Sequence, residues 1–331
     1  MRRPRRSTLH FATAAAALTV ASVIPFTFPN KEALSQTTRT IKIVVPLAPG
    51  GTADTLARIL GEQISRDQGV TVVIENRPGG GTVIGTEAVS RAAPDGNTLL
   101  VTAPAFVISS HLRKRTYDPL TSFEPICQLT RTPMVIAVNS SSPYRTLADF
   151  LEAGRTKPGS LTLASVPGSI AHVAFEMLKR AAKVDLTFVP YSGDAPAVND
   201  LLGGHVASVL VPYAGVVGEQ VKAGALRVLA SASRVRGEPL SDVPTVAEAG
   251  YKDYEVDFWN GVLAPANTPK DTVSQLAAWF SASMQVPEVN AKLVAQGFYP
   301  IGLCGSDFGV LLRRQYDDFG RIIRDANIKP E

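Results

Sequence analysis

An α/β fold in two lobes is what this 331-residue chain predicts, and three observations predict it. Apolar runs of strand length alternate with amphipathic helical patterns. The alternation restarts after 134–138, and a second extended apolar stretch, 254–265, closes the restarted series. Repeated strand–helix–strand order builds sheets with helices packed on them.

In the first series, strands are expected over 41–45, 70–75 and 98–102, with helices over 52–66 and 82–92. Leu56, Ile59, Leu60 and Ile64 recur at helical spacing and give the first helix one apolar face. This reads as an open parallel lobe. In the second series, helices are expected from Thr146 and Ser169, over 195–202 and up to Ala223, with strands over 161–164, 186–189, 206–211 and 226–230. Helices over 270–284 and 287–296 and one after Ser306 complete the chain. In the last, Phe308, Leu311, Leu312, Phe319 and Ile323 share a face, and charges such as Arg314 and Asp318 largely occupy the others. The stretches 134–138 and 255–263 bracket the second series, so they are the natural crossing strands. The expected division is a leader over 1–35, a discontinuous first lobe over 36–138 plus 258–331, and a second lobe over 139–257.

The leader reading rests on Arg2, Arg3, Arg5 and Arg6 before an apolar run over 9–28, and on Ala33-Leu34-Ser35 ahead of Gln36. That is the pattern of a secretory signal peptide, and it predicts export. It carries five of the 33 Lys and Arg and one of the 29 Asp and Glu, leaving 28 of each. The pI of about 9.1 therefore reports targeting. A neutral remainder offers no electrostatic footprint for nucleic acid or an anionic membrane. Cys127 and Cys304 do not make a disulfide framework and read most simply as two small buried residues, with pairing left open by an oxidising compartment.

No catalytic signature emerges. His111, His172 and His205 form no HExxH pair, and no G-x-S-x-G elbow is present. Gly79, Gly81 and Gly85 have the wrong spacing for a dinucleotide fingerprint and read as a tight turn between strand and helix. Gly50-Gly51 is followed by Thr52-Ala53-Asp54 instead of the Lys-Ser/Thr of a phosphate loop. No cofactor, metal or catalytic residue is expected. Asp54 complements the dipole of its helix, and His172 supports the loop one turn before it.

Two loops carry the functional reading. Pro46-Leu47-Ala48-Pro49-Gly50-Gly51-Thr52 and Ser165-Val166-Pro167-Gly168-Ser169 each join a strand to a helix start. Such a junction gathers unpaired backbone N–H groups at the positive end of a helix dipole and binds anions without a charged side chain. One loop in each lobe makes a carboxylate clamp. The candidate ligand contacts are Leu47, Ala48, Pro49, Gly50, Gly51 and Thr52, then Thr102 and Ala103 at the same edge. The second lobe contributes Ser165, Gly168 and Ser169, with Tyr191 and Gly193 after the next strand.

Further motifs occur in order along the chain: Glu75-Asn76-Arg77-Pro78-Gly79, Pro94-Asp95-Gly96, Val189-Pro190-Tyr191, Leu202-Gly203-Gly204, Asp242-Val243-Pro244-Thr245 and Leu263-Ala264-Pro265. With the first loop, they make the chain resemble the Bug-type solute-binding receptors of tripartite tricarboxylate transporters. The resemblance implies a type II periplasmic binding protein: two α/β lobes on a two-strand hinge, closing over a small carboxylate held by the two loops. It further implies a non-enzymatic, monomeric periplasmic receptor whose partners are integral membrane transporter subunits. A ligand-sensing receptor that docks on a sensor kinase is the alternative. Two departures, Ile170-Ala171 before His172 and Ala207, suggest a less polar second lobe and a monocarboxylate with an aliphatic or aromatic body.

Overall fold

The computed structural model describes residues 39–329, and the leader assigned to 1–35 lies outside the described residues. The first lobe opens with β1 (Thr40–Val45), α1 (Thr52–Gln68), β2 (Thr71–Asn76), α2 (Val83–Ser90), β3 (Thr98–Thr102) and α3 (Ala105–Leu112). The chain then crosses on β4 (Phe123–Asn139). The second lobe follows as α4 (Leu147–Thr156), β5 (Thr162–Ser165), α5 (Ile170–Ala182), β6 (Thr187–Pro190), α6 (Asp194–Leu202), β7 (Ser208–Pro212), α7 (Val216–Lys222) and β8 (Leu226–Ser231). It returns on β9 (Asp257–Pro265) to α8 (Lys270–Gln285), α9 (Pro287–Ala295), β10 (Tyr299–Cys304) and α10 (Ser306–Asp325).

The helices form for local reasons. Leu56, Ile59, Leu60 and Ile64 of α1 are buried, and the helix stops at Gly69, whose φ of 63° only glycine adopts freely. A reciprocal capping box, Thr146 with Asp149, starts α4.

Strands β2, β1 and β3 run parallel, but β9 lies antiparallel on β3, so the first lobe is mixed rather than parallel throughout. The reason is connectivity: a strand returning from the other lobe enters from the opposite end. In the second lobe β5 pairs parallel with β6 and β7.

β4 belongs to both lobes. From Phe123 to Pro133 it pairs with β9, and from Met134 onward with β7 and β8. Proline has no N–H to donate, which suits a point where partners change. Here the Pro133 carbonyl accepts from Tyr213 N and the Met134 carbonyl from Ala232 N. The second crossing is the segment before β9, pinned by Val256 N to Ala232 O at 2.9 Å. β4 therefore begins well before the expected 134–138. Glu124, Pro125, Gln128 and Arg131 interrupt its apolar run, and register shifts disturb its alternation.

One apolar cluster runs unbroken from Phe106 and Leu100 through Trp259 and Phe308 to Phe175 and Phe150, joining the lobes along α3, α10 and α5. Arg180 of α5 also meets Asp325 of α10 at 2.8 Å. Cys127 and Cys304 face each other across β4 and β10 and form a disulfide, in place of the two separate buried thiols that are the simplest expectation from the sequence.

Candidate functional site

The strand registers collect the candidate residues at one edge of each lobe. Val45 sits beside Asn76 and Val44 beside Leu100, so the loops after β1, β2 and β3 emerge together. Ser165 sits beside Pro190, and Tyr191 N bonds Ser165 O at 3.0 Å, which places the loops after β5 and β6 side by side. β4 passes from the first set of strands into the second, so these carboxyl edges are the ones turned toward the other lobe. At one point they touch: a Cβ built on Gly168 would lie 3.7 Å from Leu112 of α3.

The first loop is open. Ala48, Pro49, Gly50 and Gly51 are exposed, with Leu47 and Thr52 half-buried. Asp54 ties it down by accepting from Gly50 N at 2.8 Å, and Arg58 bonds the same carboxylate. Burial pushes the Asp54 carboxyl up, but the bonds from Arg58, Gly50 and Asn76 together hold it below the usual range. Gly51 N turns back to Ala48 O at 3.5 Å. The first helical bond is Thr55 N to Gly51 O, so the N–H groups of Thr52, Ala53 and Asp54 have no acceptor among the described residues. Gly85 lets α2 approach this loop, because a Cβ there would fall 2.9 Å from Pro46 and 2.7 Å from Arg77 O.

The second loop is largely satisfied by itself. Ser169 caps α5: its hydroxyl donates to Val166 O at 2.6 Å and accepts from Ala171 N and His172 N. Gly168 N bonds His172 Nδ1 at 3.1 Å, which makes Nδ1 the unprotonated nitrogen. His172 stacks on Phe188 with centroids 4.2 Å apart, and burial lowers its pKa. Ser165 Oγ turns inward to Leu210 O at 3.0 Å. In this loop the Ile170 N–H has no acceptor among the described residues, since the helical bonds begin at Val173 N to Ser169 O.

Tyr191 donates its hydroxyl to Asp200, and that bond pushes the phenol up to about 12. Gly193 is extended and leads α6 with no side-chain cap. Thr102 and Ala103 are buried, and Thr102 Oγ1 has no partner among the described residues.

One residue was missed in the sequence. Asp194, first in α6 and next to Gly193, makes no hydrogen bond or ion pair among the described residues, and burial pushes its carboxyl up to about 6. Its side chain is half-buried at the same carboxyl edge as Gly193. Its signal was available as an acidic residue in the first turn after Tyr191-Ser192-Gly193. Ala207, by contrast, lies before β7, at the end of the lobe away from the carboxyl edge, where its N–H bonds Thr162 Oγ1 at 2.7 Å. It cannot make the ligand wall less polar, so the expectation built on it is withdrawn.

Residues 56–328 match the tripartite tricarboxylate transporter family receptor. The chain belongs to this receptor family. The receptor is 35% identical over 267 residues to the UPF0065 protein in the tcbD-tcbE intergenic region of Pseudomonas sp. strain P51, covering 80% of this chain and 79% of that one. It is 33% identical to BugT of Bordetella pertussis, over 80% and 82% of the two chains. Among solved structures, Rpa4515 of R. palustris with adipate superposes with a TM-score of 0.75 at 32% identity, covering 89% of this chain and 100% of that one. MatC of Rhodopseudomonas palustris with bound malate gives 0.71 at 29% identity, covering 87% and 99%. The receptor thus has the type II periplasmic binding fold, and its family is one of solute-binding receptors, not enzymes.

Proposed function

We propose that the receptor works in the periplasm, captures a small carboxylate between its lobes and delivers it to the membrane subunits of a tripartite tricarboxylate-type transporter. The observation that carries this reading is the row of unpaired N–H groups at Thr52, Ala53 and Asp54 behind the exposed loop from Leu47 to Gly51. With Ile170 N they offer four donors to an anion. At about 1.5–3 kcal/mol each for a charged acceptor, the gross gain matches the roughly −8 kcal/mol of a micromolar complex. The adipate and malate bound by relatives fit this reading.

Asp194 refines the ligand. Lying at the same carboxyl edge beside Gly193, it favours a ligand that also offers a hydrogen-bond donor, such as a hydroxyl or ammonium. The receptor acts as a monomer with a first lobe over 36–138 plus 258–331 and a second over 139–257, joined by the two crossings. A thermal-shift panel of mono- and dicarboxylates, hydroxy acids, amino acids and neutral analogues, on the chain from Gln36 onward, tests the assignment. A ligand at about 100 times its dissociation constant adds roughly 2.7 kcal/mol. Shifts confined to carboxylates are expected; equal shifts with the neutral amides would refute the clamp.

A further inference from the structure

Beside the crossing strands lies a cavity of about 590 Å³ that contains none of the residues proposed to hold the carboxylate. Its walls come from both lobes: Gln128 and Arg131 of β4, Trp259 of β9 and Leu311 of α10 on one side, Met177 of α5 and Arg234 on the other.

Two of these residues are there because β4 is irregular. A strand alternates its side chains between faces, so positions three apart point to opposite sides. The register of β4 on β9 slips between Gln128, opposite Gly261, and Thr130, opposite Asn260. The intervening Leu129 is fully buried, and Gln128 and Arg131 both reach the cavity. Gln128 is 6% exposed, yet its side-chain amide has no hydrogen bond among the described residues. The Arg131 guanidinium likewise has no hydrogen bond or ion pair among them, and lies 3.1 Å from where a Cβ on Gly237 would sit. Arg131 is half-buried, and the polar ends of both side chains open into the cavity, where they are free to bond an occupant in place of water.

The surrounding charges leave an imbalance. Glu255 is shared between Arg234 at 3.6 Å and Arg314 at 3.5 Å. Asp257 accepts a hydrogen bond from Ser233, and burial pushes its carboxyl above the usual range. Five guanidinium groups and four carboxyls line the cavity; Arg180 pairs with Asp325 and Arg321 with Asp318, whereas Arg131 makes no ion pair among the described residues and acts only through its field on Asp257. Trp259, Leu311 and Met177 supply apolar wall beside it.

We propose that this cavity is a second ligand site, for an organic monoanion with an apolar or aromatic body, its charged group on Arg131 and Gln128. Its walls belong to two lobes, so an occupant favours one interlobe angle over others and tunes closure on the transported solute.

Trp259 is 1% exposed, lines the cavity and is one of two tryptophans, so Trp279→Phe leaves it as the sole reporter. Phenylacetate is the probe, titrated to millimolar concentration with Trp259 emission and equilibrium dialysis as readouts. A saturable emission change is expected. Arg131→Ala should weaken binding by about tenfold or more, and Gln128→Leu, which keeps bulk without donors, by about threefold. Gln128→Leu alone carries the test if Arg131→Ala does not fold. No saturable response overturns the proposal. So does a response that these variants leave unchanged, since that signal would come from the carboxylate site through closure.

Discussion

Replacing Asp194 by asparagine tests the electrostatics of the cleft directly. The carboxyl stands at about 6 against an ordinary 3.8, and burial is the cause. A group whose folded value is raised, when it is an acid, holds its proton more tightly in the folded state. Stability is then highest below the unfolded value near 4 and falls as pH rises through about 6. At 1.36 kcal/mol per unit, the rise is worth about 3 kcal/mol at most, and partial exposure reduces that to about 1–2 kcal/mol. Losing an acid from the first turn of α6 subtracts about 0.3–1 kcal/mol more. Asp194→Asn should therefore unfold up to about 5 °C higher than the parent at pH 7.5 and no higher at pH 4. Paired thermal melts at the two pH values, without ligand, are the assay. An equal change at both values, or a lower melting temperature at pH 7.5 than at pH 4 relative to the parent, would refute the reasoning.

Other outcomes follow from the same geometry. Ser169→Ala removes the cap of α5 and should cost about 1 kcal/mol of stability in urea unfolding, because its hydroxyl is already engaged within the loop. Gly85→Ala puts a methyl against Pro46 and Arg77 O and should cost about 1–3 kcal/mol, with weaker carboxylate binding by calorimetry as the first loop shifts. Cys127→Ser with Cys304→Ser opens a loop spanning 177 residues and should cost about 2–5 kcal/mol, seen as a lower denaturant midpoint that reductant no longer changes.

Much of the fold was legible because parallel strands buried on both faces appear as plain apolar runs, as in Ile41, Ile43, Val44 and Val45. The carboxyl-edge loops were legible through their Gly and Pro punctuation. What escaped depended on distant partners. β10 carries Pro300 and Gly302 and is a strand only because it pairs with β4, and the same pairing brings Cys304 opposite Cys127. The hydroxyls of Ser165, Ser169 and Tyr191 looked free for a ligand because sequence gives residue type but not rotamer, and each turns to an acceptor within the protein. Asp194 was passed over because its unusual property is desolvation, which only the assembled fold creates.

The sharing of β4 also sets an order of assembly. Its partners in the second lobe, β7 and β8, lie nearer in the chain than β9 and β10, its partners in the first. A chain emerging from its amino terminus can close the second lobe while the first still has β3 and half of β4 as unpaired edges. Such edges invite pairing with other chains. The late arrival of β9 ends that exposure on both sides at once, since it inserts between β3 and β4. Truncation before Asp257 should therefore leave a sticky half-sheet.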